Sequence, residues 1–180
     1  MMRTLWDLIR PAAARRREEN TRRTLPASGS AVATPRRPAA SGRRRAPMQD
    51  RYDEITRSML DRYGVRVRRW RTSMSGVAWE VRYRDGGRTR LIEAPRPKGP
   101  MSAAVFLHEI GHHAIGFGVY SPRCLEEYHA WAFALGEMER LGVALTPRVH
   151  KRVRDSLKYA VAKAKRRGLR KLPDELAPYA

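Results

Sequence analysis

The sequence has little cysteine, few acidic residues and no long hydrophobic run. Its single cysteine, Cys124, excludes an intramolecular disulfide framework and is typical of a reducing compartment. No apolar run approaches the length needed to cross a bilayer, and the start of the chain has no long apolar segment with a convincing cleavage site. We therefore expect a cytoplasmic protein that is not inserted in a membrane.

Acidic residues are outnumbered, and the imbalance is concentrated at the two ends. The 180 residues include 38 Lys and Arg against 18 Asp and Glu, a formal net charge of +20. Residues 1–47 carry 12 basic and 3 acidic side chains, residues 48–146 carry 15 and 12, and residues 147–180 carry 11 and 3. Cationic ends attract polyanions, so nucleic acid, an anionic membrane or an acidic protein surface are all candidate partners.

The composition divides the chain into three parts. Residues 11–47 are mostly Ala, Arg, Pro, Ser, Thr and Gly, which cannot bury enough surface to offset the entropy cost of ordering. We predict a disordered basic arm over 1–47, a folded domain over 48–146, and a basic amphipathic helix with a tail, packed on that domain, over 147–180. Met48 opens the part of ordinary globular composition and is a second candidate for the start of translation.

The apolar pattern of the folded part predicts an α+β fold. Helical spacing predicts four helices, at about 52–63, 103–115 with Ser102 as the N-cap, 122–141 and 149–167. Alternating residues predict a short strand in VRVRRW from Val65, and a hairpin of residues 77–83 and 90–94 around the Asp-Gly-Gly turn. The expected architecture is a small antiparallel sheet that leads directly into the second helix.

The most specific feature is the pentapeptide His108-Glu109-Ile110-Gly111-His112. Residues four apart lie on the same helix face, so His108 and His112 can present two imidazole nitrogens to one metal ion. Glu109 is one step round the helix, where it can act as a general base rather than as a ligand. With 5 His and 11 Glu in the chain, the pattern arises by chance about 0.007 times, so it favours a zinc site.

The residues around this motif support the metal interpretation. The segment AAVFLHEIGHHAIGFG is apolar almost all round, which is typical of a buried central helix. Two histidines and a glutamate in such a helix are costly without partners, and a metal ion would be a partner for all of them. The alternative is a set of histidines that form hydrogen bonds in an ordinary core or lie on a surface helix.

A catalytic zinc ion normally takes three protein ligands, and the third is expected on the following helix. Helical spacing of about 100° per residue places Glu127 in the middle of an apolar arc and Glu126 and His129 on the opposite, solvated side. Because a carboxylate on an apolar face needs a reason, Glu127 is the predicted third ligand. Glu126, His129 and Cys124 are its rivals, and an ion pair with Arg123 is the alternative role for Glu127.

Two motifs resemble the ImmA/IrrE family of bacterial metallopeptidases. The pentapeptide at 108–112 matches the family's HExxH, and the segment EYHAWAFA at 127–134 matches its Glu-x-x-Ala-x-x-Phe-Ala. The resemblance covers about residues 50–146. It implies a minimal, zincin-like gluzincin fold with His108, His112 and Glu127 as zinc ligands and Glu109 as the base.

The chain departs from the family pattern at three places, one of which is a short spacer between the two motifs. The family usually has Asn or Asp four residues after the ligand Glu, where this chain has Trp131, and the usual Leu-Leu-Met-Pro ending is replaced by LGEMERLGV. Family members often cleave a DNA-binding repressor, so the resemblance implies a protein regulator as the substrate. A DNA-associated protease of the SprT type is a weaker match, because no further His follows His112 at the required place.

The sequence therefore predicts a zinc-dependent metallopeptidase that hydrolyses a peptide bond in a cytoplasmic protein, with a transcriptional regulator as one candidate substrate. Metal-activated water is the expected nucleophile, and Glu109 is its general base. The alternative is a non-catalytic protein that uses the metal for stability and its basic ends to bind nucleic acid or to regulate. A purely structural metal site has no need of Glu109, which favours the enzyme.

Overall fold

The structure of the protein is a computed structural model that describes residues 47–180; the predicted basic arm lies outside the described residues except for Pro47. Its elements, in chain order, are α1 (Pro47–Tyr63), β1 (Val65–Arg71), β2 (Val77–Arg82), β3 (Arg88–Pro95), α2 (Pro100–Ile115), α3 (Arg123–Arg140), α4 (Pro147–Arg166) and a 3-10 helix, Asp174–Tyr179. The predicted α+β class is confirmed, and each predicted helix and strand is present, with some bounds shifted by a few residues.

The three strands form a mixed sheet with β3 in the centre, so the prediction of an antiparallel sheet is wrong. β2 and β3 form the expected antiparallel hairpin, in which Gly86 takes a φ of +86° in the turn. β1, however, runs parallel to β3, with Val65 beside Arg90 and Arg71 beside Pro95. The chain reverses once between β1 and β2 and again between β2 and β3, so β1 and β3 point the same way. Residues 72–76 cross from one edge of the sheet to the other.

Helix α2 begins earlier than the sequence suggested, at Pro100 instead of about Ala103. Proline suits the first helical turn because its φ is fixed near the helical value and it has no N–H to leave unpaired. Ser102 is therefore inside the helix rather than its N-cap. Its hydroxyl oxygen accepts hydrogen bonds from the backbone N–H groups of Lys98 and Gly99, at 2.9 and 3.2 Å.

One core joins the sheet and the helices, and α2 runs through its middle. Residues 102–113 of α2 are all buried, which agrees with its apolar sequence. α3 packs closely on α2 at Gly111, where a Cβ would lie 2.7 Å from the backbone oxygen of Ala130. α4 contributes its apolar side to the same core through Val149, Val153, Leu157, Ala160 and Val161. Within residues 47–180, no helix is both long enough and apolar enough to cross a membrane.

Candidate metal centre

α2 and α3 bring three candidate ligands together in the core. One ligand atom from each of His108, His112 and Glu127 lies within 4.8 Å of the other two. Oε2 of Glu127 is 3.3 Å from Nε2 of His108 and 3.7 Å from Nε2 of His112. All three side chains are buried, as the sequence predicted for His108 and His112 on one face of the motif helix. This group could hold a metal ion.

The three ligand atoms that face one another are better suited to bind a metal ion than to form hydrogen bonds with each other. Nε2 of His108, Nε2 of His112 and Oε2 of Glu127 are buried, and none has a hydrogen-bond partner in the part of the chain that the structure describes. Unpaired buried polar atoms cost free energy, and a cation at their centre would satisfy all three. Two imidazole nitrogens and one carboxylate oxygen suit catalytic zinc, which keeps a further position open, and also non-haem iron.

The charge states of these side chains suit ligation. Burial lowers the pKa of His108 to about 4, so its imidazole is neutral at pH 7 and has a lone pair to donate. Burial alone would raise the pKa of Glu127, but the nearby His112, His108 and Arg123 outweigh burial and lower it. Glu127 is therefore ionised. The neutral imidazole of His108 and the ionised carboxylate of Glu127 are both in the state that a metal ligand requires.

Arg123 orients the Glu127 carboxylate. Its Nε atom is 3.4 Å from Oε1 of Glu127, on the other side of the carboxylate from the two histidines. Oε2 is thereby left to face His108 and His112. The ion pair between Arg123 and Glu127 that the sequence suggested as an alternative is thus present together with the ligand geometry, and the two roles use different oxygens.

Glu126 positions the second histidine, a role that the sequence reasoning missed. Its Oε1 atom is 3.1 Å from Nδ1 of His112, and because a carboxylate only accepts, Nδ1 is the donor of this hydrogen bond and Nε2 is the ring nitrogen that faces Glu127. The carboxylate of Glu126 also accepts from the backbone N–H of Gly118 at 3.3 Å and pairs with Arg123 at 3.0 Å. A carboxylate behind a metal-binding histidine fixes the ring and raises its basicity.

The prediction that Glu126 lies on a solvated side of its helix is wrong, because the side chain is only 1% exposed. The loop over residues 116–122 folds back over the start of α3 and covers it, as the Gly118 hydrogen bond shows. Helical periodicity describes one helix at a time and carries no information about a loop that covers its first turn. The feature of the sequence that could have indicated this role of Glu126 is the pair of adjacent glutamates that follows a Gly-rich loop.

Glu109 is fully buried beneath the segment that joins β1 to β2. A Cβ placed on Gly76 would lie 2.3 Å from Oε1 of Glu109, so only glycine allows the backbone to come this close. The same segment is tied to α4 by the guanidinium of Arg152, which donates to the backbone oxygen of Met74 at 2.5 Å. The candidate base and the three ligands are thus shielded from bulk solvent.

Trp131 stands where the resemblance leads one to expect Asn or Asp, and it contacts the site in a different way. Its indole stacks on the imidazole of His108, with ring centroids 4.1 Å apart and planes 20° apart. Nδ1 of His108 has no hydrogen-bond partner among residues 47–180, and neither has Nε1 of Trp131. His108 is therefore held by ring packing, whereas His112 is held by a hydrogen bond.

The remaining rivals lie outside the ligand group. Cys124 is buried, and burial raises the pKa of its thiol, which keeps the thiol protonated. His129 stacks on Tyr120, with ring centroids 3.7 Å apart. His113 packs against the sheet, where its Nε2 atom donates to the backbone oxygen of Leu91 at 3.1 Å. Burial lowers the pKa of His113 to about 4.

Comparison of the chain with protein-family models, with curated proteins and with solved structures finds no match. The resemblance to the ImmA/IrrE family therefore stays a prediction that depends on the two motifs. The chemistry of the site has to be argued from the geometry of its own side chains.

Proposed function

We propose that this protein is a zinc-dependent metallopeptidase of the HExxH type. The observation that carries the proposal is the convergence of three buried atoms, from His108, His112 and Glu127, that have no hydrogen-bond partner among residues 47–180. A further carboxylate lies on the same helix as the two histidines. A site that only stabilised the fold would need the ligands alone. Glu109 adds the proton acceptor that hydrolysis of a peptide bond requires.

Each side chain has a definite part in this proposal. His108, His112 and Glu127 would hold a zinc ion, which when bound supplies Lewis-acid chemistry and makes water a better nucleophile at neutral pH. The carboxylate of Glu109 would accept a proton from the attacking water and pass it to the leaving amine. Glu126 and Arg123 would keep His112 and Glu127 in their binding orientations.

The burial of the site bears on the substrate. Because Glu109 lies under residues 72–76, an extended peptide would reach it only when this segment moves aside. Exclusion of water strengthens electrostatic interactions within such a site. We propose that the substrate is a cytoplasmic protein, with a transcriptional regulator as the first candidate because the two motifs resemble ImmA/IrrE proteins.

A second function is a metal-stabilised protein without catalytic activity that binds nucleic acid or regulates another protein. The observation in its favour is the same burial, because a catalytic zinc needs a coordination position that water or substrate can reach, and a buried metal ion that only stabilises the fold does not. The two functions differ in what they require of Glu109. Only the peptidase needs its carboxylate to be ionisable.

The test compares His108→Ala and Glu109→Gln with the wild-type protein. We expect about one zinc ion per wild-type chain, loss of zinc in His108→Ala, and retention of zinc in Glu109→Gln together with loss of cleavage. Zinc is measured by elemental analysis. Cleavage is measured in cells that produce the protein together with candidate DNA-binding regulators, by following the size of the regulators. Glu139→Gln, an exposed change on α3 with the same loss of charge, is the control.

Two results would contradict the peptidase. One is a Glu109→Gln protein whose effect on the regulators equals that of the wild type. The other is a purified protein that takes up no zinc when zinc is supplied.

A further inference from the structure

Helix α4 carries basic residues along the side that faces away from the core. At about 100° per residue, six of them fall within roughly a third of the helix circumference. We call this set the basic strip; its members are Arg148, Lys151, Arg154, Lys158, Lys165 and Arg166, and all six are exposed. Pro147, Asp155 and Ala162 are the other residues of the same arc.

Little of this charge is neutralised within the protein. Nζ of Lys151 pairs with Oδ2 of Asp155 at 2.6 Å, and for the other members of the basic strip the structure of residues 47–180 shows no ion pair. Arg167, Arg170 and Lys171 extend the positive charge past the end of the helix. A concentration of unpaired cations of this kind creates a positive potential that attracts phosphate groups.

The opposite side of α4 packs in the core of the protein. Its apolar residues, Val149, Val153 and Leu157 among them, are buried against the rest of the core. An amphipathic helix that binds a membrane must instead place such residues among the lipid chains. The basic strip is thus not the polar half of a membrane-binding helix, and its partner has to be recognised by charge.

The dimensions of the basic strip suit a duplex. From Arg148 to Arg166 the helix extends about 27 Å at about 1.5 Å per residue, which corresponds to about eight base pairs of double helix. Tyr159, the aromatic residue of α4, is half-buried and lies outside the basic strip. Binding of single strands normally uses exposed aromatic rings on which the bases stack, and the strip offers none.

We propose that α4 binds the phosphate backbone of double-stranded nucleic acid through the basic strip. The binding is independent of base sequence, because Lys and Arg contacts to phosphate fix position without reading bases. α4 packs on α3, the helix that carries Glu127, so nucleic acid bound to the outer side of α4 would be separated from α3 by the width of one helix. If the proposed peptidase function holds, this contact brings the enzyme to protein substrates that are themselves bound to nucleic acid.

The test neutralises four members of the basic strip in the full-length protein and leaves the pair of Lys151 and Asp155 intact. The variant is Arg148→Gln, Arg154→Gln, Lys158→Gln, Lys165→Gln. The control removes the same charge from exposed residues elsewhere: Arg66→Gln, Arg84→Gln, Arg88→Gln, Lys98→Gln. The dissociation constant for a duplex DNA is measured over a series of salt concentrations. Residues 1–47 are the same in all three proteins and do not affect the comparison.

We expect the strip variant to flatten the salt dependence much more than the control. Each phosphate contact contributes about 0.9 to the slope of log K against log salt, so loss of four contacts lowers the slope by about 3 to 4. The control should lower it by less than about 1. Duplex RNA serves as a second probe; binding of either duplex through the basic strip supports the proposal, and the comparison tells which one is preferred.

Three results would overturn the proposal. The first is an equal loss of slope in the two variants, which would mean that only net charge matters. The second is binding of anionic phospholipid vesicles with the same dependence on the basic strip. The third is tighter binding of single strands than of duplexes. Zinc content, measured in both variants, reports on the metal centre separately, and Glu109→Gln should leave the salt dependence of binding unchanged.

Discussion

Replacement of Glu126 by alanine should weaken zinc binding without removing a ligand. The change deletes the acceptor for Nδ1 of His112 and one of the carboxylates paired with Arg123, while His108, His112 and Glu127 remain. Loss of a hydrogen-bonding group behind a metal ligand typically costs 10- to 100-fold in affinity, or about 1.4 to 2.7 kcal/mol. We expect the dissociation constant for zinc to rise by that factor.

The measurement is a competition for zinc between the protein and a chromogenic chelator. Glu126→Gln should show a smaller loss than alanine, because its amide oxygen still accepts from His112. The matched control is Glu137→Ala. Glu137 is another buried carboxylate on α3, and it pairs with Arg140 at 2.6 Å, near the opposite end of the helix from Glu126 and Glu127.

The control should lower the free energy of unfolding and leave zinc affinity unchanged. Our account of Glu126 would be refuted if Glu126→Ala and Glu137→Ala altered the dissociation constant for zinc equally. In that case the carboxylate would act on the fold and not on the orientation of His112.

Three further predictions follow from the described residues. Gly76→Ala should displace the Glu109 carboxylate and abolish cleavage with zinc retained, whereas Gly99→Ala, which meets no atom within 4 Å, should be active in the same assay. Gly136→Ala adds a methyl group in open space on α3 and should raise the free energy of unfolding by about 0.5 to 1 kcal/mol in urea titrations; a lower value would contradict it. Because burial lowers the pKa of His108 from 6.5 to about 4, the unfolded chain binds its proton first as the pH falls. The contribution of His108 to the stability of the metal-free protein should therefore be complete above about pH 6.5 and be lost as the pH falls towards 4. A melting temperature that is constant over this range would contradict the lowered pKa of His108.

Much of the fold could be predicted from the sequence because the patterns that indicate it are local. The apolar run around His108, the helical spacing of apolar residues and the Asp-Gly-Gly turn each depend on residues close together in the chain. The direction of β1 was not accessible in this way. It depends on which edge of β3 the strand joins, and this is decided by packing between residues far apart in sequence.

The candidate site could be predicted from the sequence to a similar degree. The spacing of the motif indicated His108, Glu109 and His112, and the apolar arc of α3 indicated Glu127. The structure buries all four residues. Helical periodicity placed Glu126 on the solvated side of α3, because the loop that buries it lies outside its own helix. The stacking of Trp131 on His108 also had no signal in the sequence, since it depends on how closely α2 and α3 approach at Gly111.

The three candidate ligands all belong to one pair of neighbouring helices, α2 and α3, joined by a short loop. A metal ion held by them closes only a short stretch of chain, so it restricts the unfolded state somewhat less than a bridge between the two ends of the domain would. Its contribution to stability should come mainly from satisfying buried polar atoms. The helix pair could therefore bind zinc early in folding, before the basic helix α4 packs against it.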